Sequence, residues 1–191
     1  IGLEFAAMYA NYGSMVTVLE YGADFLPRED RDMANMIQTR LEALGIRLVF
    51  NAQVEEITDE NDQTTVGYLD RSSGDHVTLP ADAVLIATGR KASTAELDLE
   101  AAGVKMNERG EIIVNELLQT SVPHIWALGD VKGGLQFTYL SLDDSRIIKD
   151  QLWGDGKRTA ANRGPIPYSM FLDPVFARVG LNETEALQAG H

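Results

Sequence analysis

Residues 1–20 read IGLEFAAMYANYGSMVTVLE, and the fold turns on them. From Gly2 the apolar residues Leu3, Ala6, Ala7 and Ala10 recur at the spacing of one helix face. Gly13 then supplies a stop, and Val16 to Leu19 is a short strand-like run closed by Glu20. Helix, turn, strand and acid in that order make the second half of a βαβ dinucleotide unit. In such a unit a glycine at the helix start lets helix and sheet pack closely, and an acid at the tip of the second strand accepts hydrogen bonds from ribose hydroxyls. Gly2 and Glu20 fall at those two positions. The other glycines of a G-x-G-x-x-G turn ending at Gly2, and the strand feeding them, would precede Ile1, so the chain is expected to be a piece of a longer protein. On these residues alone, a buried helix followed by a strand and a surface glutamate fits equally well.

Composition narrows the choice of partner. The chain has 191 residues, 45% of them hydrophobic, enough for one good core or two small ones. It carries no apolar run of about eighteen residues and no signal-peptide pattern, so nothing places it in a membrane and the cytoplasm is the default compartment. Acidic residues outnumber basic ones 29 to 16, for a net charge of −13, which repels phosphate backbones and excludes nucleic acid as a partner. A dinucleotide escapes that objection, because helix N-termini and glycine amides hold it. Cysteine is absent, so the chain has no disulfide, thiolate metal site or cysteine nucleophile.

Working outward, residues 28–44 carry Met33, Met36, Ile37, Leu41 and Leu44 at helical spacing, with Gly45 as the stop and a short strand at 46–50. Strand, helix, strand with a short loop predicts a right-handed parallel crossover. Residues 54–57, 65–69 and 76–79 then alternate with turn residues at Asn61-Asp62 and 72–75, which predicts an antiparallel meander. His76 belongs to it as a solvent-facing residue. An uninterrupted apolar run at 83–86 suits the buried centre of a parallel sheet, and the Ala87-Thr88-Gly89 turn after it lets a ligand approach the backbone.

A second signal comes at 125–130, Ile-Trp-Ala-Leu-Gly-Asp, an apolar strand ending in Gly129, which permits close approach, and Asp130, which can accept a hydrogen bond from a ligand hydroxyl. Residues 112–114 read as a short strand, 139–153 as a helix and 153–167 as a Gly- and Pro-rich linker. Two strands follow at 168–171 and 177–180. A capping box from Asn182 to Glu185 opens a last helix that runs into the end of the chain at His191.

Three motifs in order, IGLEFA at 1–6, ATGR at 87–90 and IWALGD at 125–130, resemble the flavin-dependent pyridine nucleotide-disulfide oxidoreductases, the group of dihydrolipoamide dehydrogenase, glutathione reductase and mercuric reductase. The resemblance covers nearly the whole chain, including YSMFLDP at 168–174 and VGL at 179–181. It implies an α/β fold: a Rossmann-like three-layer dinucleotide-binding domain with an antiparallel β-meander, then part of a second nucleotide-binding domain, then the start of an α+β dimerisation domain. The implied divisions are an NAD-binding domain lacking its first strand at 1–114, the C-terminal part of an FAD-binding domain at 115–158, and a linker with the opening of the dimerisation domain at 159–191.

By the same resemblance, Gly2 and Glu20 bind NAD and Glu4 lies near the nicotinamide. Ala87, Thr88 and Gly89 line the floor between the nucleotides, Asp130 after Gly129 holds the FAD ribityl chain, and Phe137 and Thr138 present backbone to the flavin. The parent is then an FAD- and NADH-dependent homodimeric enzyme passing hydride to a disulfide or a metal ion. Its cysteine pair and its His-Glu pair lie outside these residues, so the chain holds no catalytic residue or metal ligand and is expected to be inactive by itself. GGLQFTYLSLDD at 133–144 is closer to the mercuric-reductase-like or reactive-chlorine-resistance branch than to lipoamide dehydrogenases, while GRKA at 89–92 departs from the usual Gly-Arg-x-Pro-Asn. Two alternatives stand beside this reading, a non-catalytic nucleotide-binding or interaction module and an NADH oxidase-like flavoenzyme. Glu20 further predicts NADH over NADPH. Its charge repels a 2′-phosphate, and the nearest base downstream in sequence is Arg28.

Overall fold

Helix α1 (Gly2–Asn11) buries Ala6 and Ala7 and ends in a turn where Gly13 takes φ +92°, a conformation other residues resist. Strand β1 (Thr17–Leu19) follows, then helix α2 (Arg31–Ala43) and strand β2 (Arg47–Val49), which pairs with β1 in parallel, Val18 opposite Leu48. The predicted crossover is therefore present. The computed structural model describes residues 1–60 and 63–191 and divides into two compact units, Ile1–Ala87 with Pro167–His191, and Thr88–Ile166.

In the first unit, α2 begins three residues later than its periodicity suggests. Leu26 lies at φ +46°, and the Arg31 guanidinium donates to the carbonyls of Phe25, Leu26 and Glu29, so the preceding loop is held in its own shape. The buried stripe of α2 is Ala34, Ile37 and Leu41. Met36, expected on that face, is 66% exposed, because the stripe runs through Ala34, next to Met33 and two positions before Met36. These residues join Ala6, Ala7, Phe25, Ile46, Leu172 and Phe176 in one core.

Strands β3 (Ala52–Glu60), β4 (Gln63–Asp70) and β5 (His76–Ala81) form the expected antiparallel meander in the order β3-β4-β5, with a bulge between Val54 and Glu56. The turn expected at Asn61-Asp62 lies outside the described residues. His76 faces solvent, its Nδ1 3.0 Å from a Glu55 carboxylate oxygen.

The run at 83–86 departs from expectation. It forms no strand, and Val84, Leu85 and Ile86 are 39%, 53% and 69% exposed. A parallel strand exists only as one side of a ladder, and no described segment pairs with this one. Strands β6 (Tyr168–Met170) and β7 (Phe176–Arg178) are antiparallel. Helix α4 (Glu183–Gln188) opens on the predicted capping box: the Asn182 side chain accepts from the Glu185 amide at 2.7 Å, and the Glu185 carboxylate accepts from the Asn182 amide at 2.9 Å.

The second unit has little regular structure before helix α3 (Thr138–Trp153). The strands expected at 112–114 and 125–128 are reduced to single bridges, Met106 with Ile112 and Gln119 with Trp126. Val104, Ile112 and Ala127 nevertheless pack into one cluster, so the apolar positions are those the sequence implies while the ladders are too short to register.

Polar contacts tie the last strands of the first unit to its early loop. The Tyr168 hydroxyl donates to the Glu29 carboxylate, with the Arg178 guanidinium 5.4 Å from the Tyr168 ring centroid. Burial, then the Glu29 bond and charge, push the Tyr168 pKa up to about 12. The unfolded phenol ionises near ~10, so the stabilisation is complete below that pH and is lost as pH rises through about 12. In an absorbance titration of the phenolates, one late step near 12 should be present in the wild-type chain and missing from Tyr168→Phe.

Candidate functional site

Parallel β1 and β2 place the C-terminal end of β1 where open α/β sheets bind ligands. Glu20 follows directly. Its amide donates to the Val49 carbonyl at 2.8 Å and its carbonyl accepts from the Ala52 amide at 2.9 Å, so its backbone is fixed from both sides. Its exposed carboxylate accepts from the Gly22 amide at 2.8 Å, which arches the side chain over the turn. A Cβ on Gly2 would stand 3.2 Å from the Ala87 Cβ, so these two predicted residues meet, and the helix start packs on residue 87 as a glycine there allows.

Glu4 is engaged within the chain. Its carboxylate accepts from the Phe171 amide at 2.9 Å.

A residue absent from the sequence reading also stands here. Arg71, from the turn between β4 and β5, lays its guanidinium 4.2 Å from the Tyr21 ring centroid and donates to the Tyr21 carbonyl at 3.2 Å. No one-dimensional pattern could report it, since it is 50 residues from Tyr21 and arrives through the meander.

The second unit carries the other predicted residues. Thr88 and Gly89 open it, with Gly89 at φ +118° and space around the position of a Cβ. Arg90 reaches Asp130 at 3.4 Å, and both are about half exposed. Gly129 takes φ +70°, and a Cβ there would come 2.9 Å from the Ser141 hydroxyl, so glycine is required twice over. Gly129 and Asp130 begin a 3₁₀ turn (Gly129–Lys132), and Phe137 and Thr138 form the start of α3, the Phe137 ring stacked on Tyr139 at 5.3 Å.

What holds the Gly129–Asp130 corner is Asp144, a side chain with no solvent exposure. One of its oxygens accepts from the Gly129 amide at 2.8 Å and lies 3.3 Å from the Lys132 ammonium, and the other pairs with Arg163 at 2.5 Å. Neighbouring Asp143 pairs with Arg163 at 3.1 Å and with Arg158 at 2.5 Å. The signal for Asp144 was available: it occupies the buried stripe of α3 between Leu140 and Ile147, where an acid demands cationic partners. Among the described residues no cluster of His, Asp or Glu is arranged to hold a metal ion, and no helix is long and apolar enough to cross a membrane.

Residues 1–145 match the family described as pyridine nucleotide-disulphide oxidoreductase. The chain belongs to that family. It is 50% identical over 190 residues to the probable pyridine nucleotide-disulfide oxidoreductase RclA of Escherichia coli (strain K12), a match spanning 100% of this chain and 42% of that protein. It is 35% identical to the dihydrolipoyl dehydrogenase of Geobacillus stearothermophilus, across 100% of this chain and 40% of the relative. The solved structure of the HOCl-induced flavoprotein disulfide reductase RclA from Escherichia coli superposes with a TM-score of 0.91 at 49% identity, covering 99% of this chain and 42% of that one. The chain thus spans about 42% of the length of its RclA relative. The α/β, Rossmann-like reading stands with this match. Of the two branches the sequence suggested, the reactive-chlorine-resistance one is nearer, RclA at 50% identity against 35% for the lipoyl dehydrogenase, while the mercuric reductase of Staphylococcus aureus, at 34%, is no nearer than the latter.

Removing one partner of a buried charge cluster costs about 3–5 kcal/mol. Asp144→Asn should therefore lower the unfolding free energy by an amount of that order. Hydrogen exchange at the Gly129 amide should accelerate in the variant, while that of α2 keeps its wild-type rate.

Proposed function

We propose that this chain supplies the NAD-binding part and the returning part of the FAD-binding region of a flavoprotein reductase that takes hydride from NADH and delivers electrons to a disulfide or metal-ion acceptor. The supporting observation is the pair of exposed acids, Glu20 after β1 and Asp130 after Gly129, each on backbone held by the fold. In this reading residues 1–114 belong to the NAD-binding domain, 115–158 to the FAD-binding domain and 159–191 to the linker and opening of the dimerisation domain. The whole enzyme works as a homodimer in the cytoplasm.

The residues present suit both nucleotides. Gly2 against Ala87 gives the close helix approach that a pyrophosphate turn needs, and Glu20 offers its outer carboxylate oxygen to the adenosine ribose. Gly89, at positive φ with space around it, leaves backbone open to a ligand, and Asp130 offers a half-exposed carboxylate to a ribityl hydroxyl. Bound flavin supplies the two-electron chemistry that these side chains lack. Asp144 keeps the Asp130 corner in place, Phe137 and Thr138 at the start of α3 would hold the flavin, and Glu4 on α1 would stand near the nicotinamide.

Two measurements on the full-length protein test this. Asp130→Ala removes a charged acceptor worth roughly 1.5–3 kcal/mol, so flavin affinity should fall about tenfold or more; unchanged flavin stoichiometry after dialysis overturns the assignment. NADH should be preferred to NADPH by roughly a hundredfold in kcat/KM, and Glu20→Ala should erode that preference. Equal use of the two cofactors by the unmodified enzyme would be incompatible with Glu20 as the ribose ligand.

A further inference from the structure

The turn that carries Glu20 is built from two distant pieces of chain. The Asn51 amide donates to the Gly22 carbonyl at 3.0 Å, and the Arg71 amide donates to the Asn51 carbonyl at 2.9 Å. Backbone bonds thus join the Glu20–Gly22 turn to Asn51 and Asn51 to Arg71. The Arg71 guanidinium then lies over Tyr21, 4.2 Å from the ring centroid, with one N–H on the Tyr21 carbonyl. No carboxylate lies within ion-pair distance of Arg71 among the described residues. Most of its N–H donors are accordingly left for something else.

We propose that Arg71 is a latent 2′-phosphate site, a cation held one residue from Glu20 whose reach to the adenosine ribose is masked by the Glu20 carboxylate. The inference rests on the reading of Glu20 as the ribose ligand and adds to it the residue that sets how strict the cofactor choice is. A planar guanidinium fixed against an aromatic ring keeps its charge and its fork of donors oriented, which is the arrangement that binds a phosphate with little further ordering. With Glu20 present, that charge partly offsets the repulsion of a 2′-phosphate. With Glu20 removed, the carboxylate adjacent to Tyr21 in the chain is gone. A purely structural Arg71, serving only to steady Tyr21, predicts instead that its loss weakens NADH and NADPH alike.

The test compares kcat/KM for NADH and NADPH in the full-length flavoprotein and its Glu20→Ala, Arg71→Ala, Glu20→Ala/Arg71→Ala and Glu20→Ala/Arg71→Lys variants. Glu20→Ala should weaken NADH and raise NADPH by about tenfold or more, a gain that shrinks as salt rises. The double alanine variant should lose the NADPH gain while keeping the NADH value of Glu20→Ala, and lysine at 71 should restore much of it. Adenosine 2′,5′-bisphosphate should compete more tightly than AMP in Glu20→Ala and lose that advantage in the double variant, a comparison that does not depend on turnover. An NADPH gain that survives loss of Arg71 overturns the proposal, as does its absence in Glu20→Ala when NADH has weakened. Unchanged NADH kinetics in Glu20→Ala would remove the ribose-ligand reading itself, and this inference with it.

Discussion

The parallel pairing of β1 with β2 governs where the first unit can present chemistry. Its last bonds, Glu20 amide to Val49 carbonyl and Ala52 amide to Glu20 carbonyl, continue past the strand and convert the residue after it into a fixed point. A three-residue strand has almost no stability of its own, so its position is borrowed from the helices packed on it, through Ala6, Ala7, Ile37 and Leu41. The glutamate is therefore precise because the core beneath it is dense.

In the second unit the same role falls to a charge. Asp144 is out of water, and its oxygens are consumed by a backbone amide and a lysine of the Gly129–Lys132 turn and by an arginine from a later stretch of chain. Such a cluster contributes little net stability compared with an apolar replacement, yet its directional bonds admit one arrangement of the partners. The loop around Gly129 needs that direction, because the unit has few ladders to impose one.

How much was legible in the sequence followed the range of the interaction. Gly13, the α2 stripe apart from Met36, the meander and the Asn182 capping box are local signals, read within a few residues and found in place. Gly2 against Ala87 could be named at each end from turn chemistry without knowing that they touch. Arg71 over Tyr21 and Arg163 on Asp144 were invisible, since ion and stacking contacts between distant segments leave no periodicity. The apolar run at 83–86 failed in the opposite sense: its hydrophobicity predicts a buried strand, but a strand is a property of two segments, and with none of the described residues paired to it the run is left exposed.

The first unit is also discontinuous. Its core includes Leu172 and Phe176, which follow the entire second unit in the chain, and Asn182 and Glu183 bond back to Arg28 and Asp30. On a ribosome, α1 to β5 would emerge with that core incomplete and wait through the synthesis of the intervening residues before the last strands could close it. The intervening second unit is a single contiguous stretch. The nucleotide-binding half is thus closed only by residues made after the segment that interrupts it, so its core depends on the last strands of the chain.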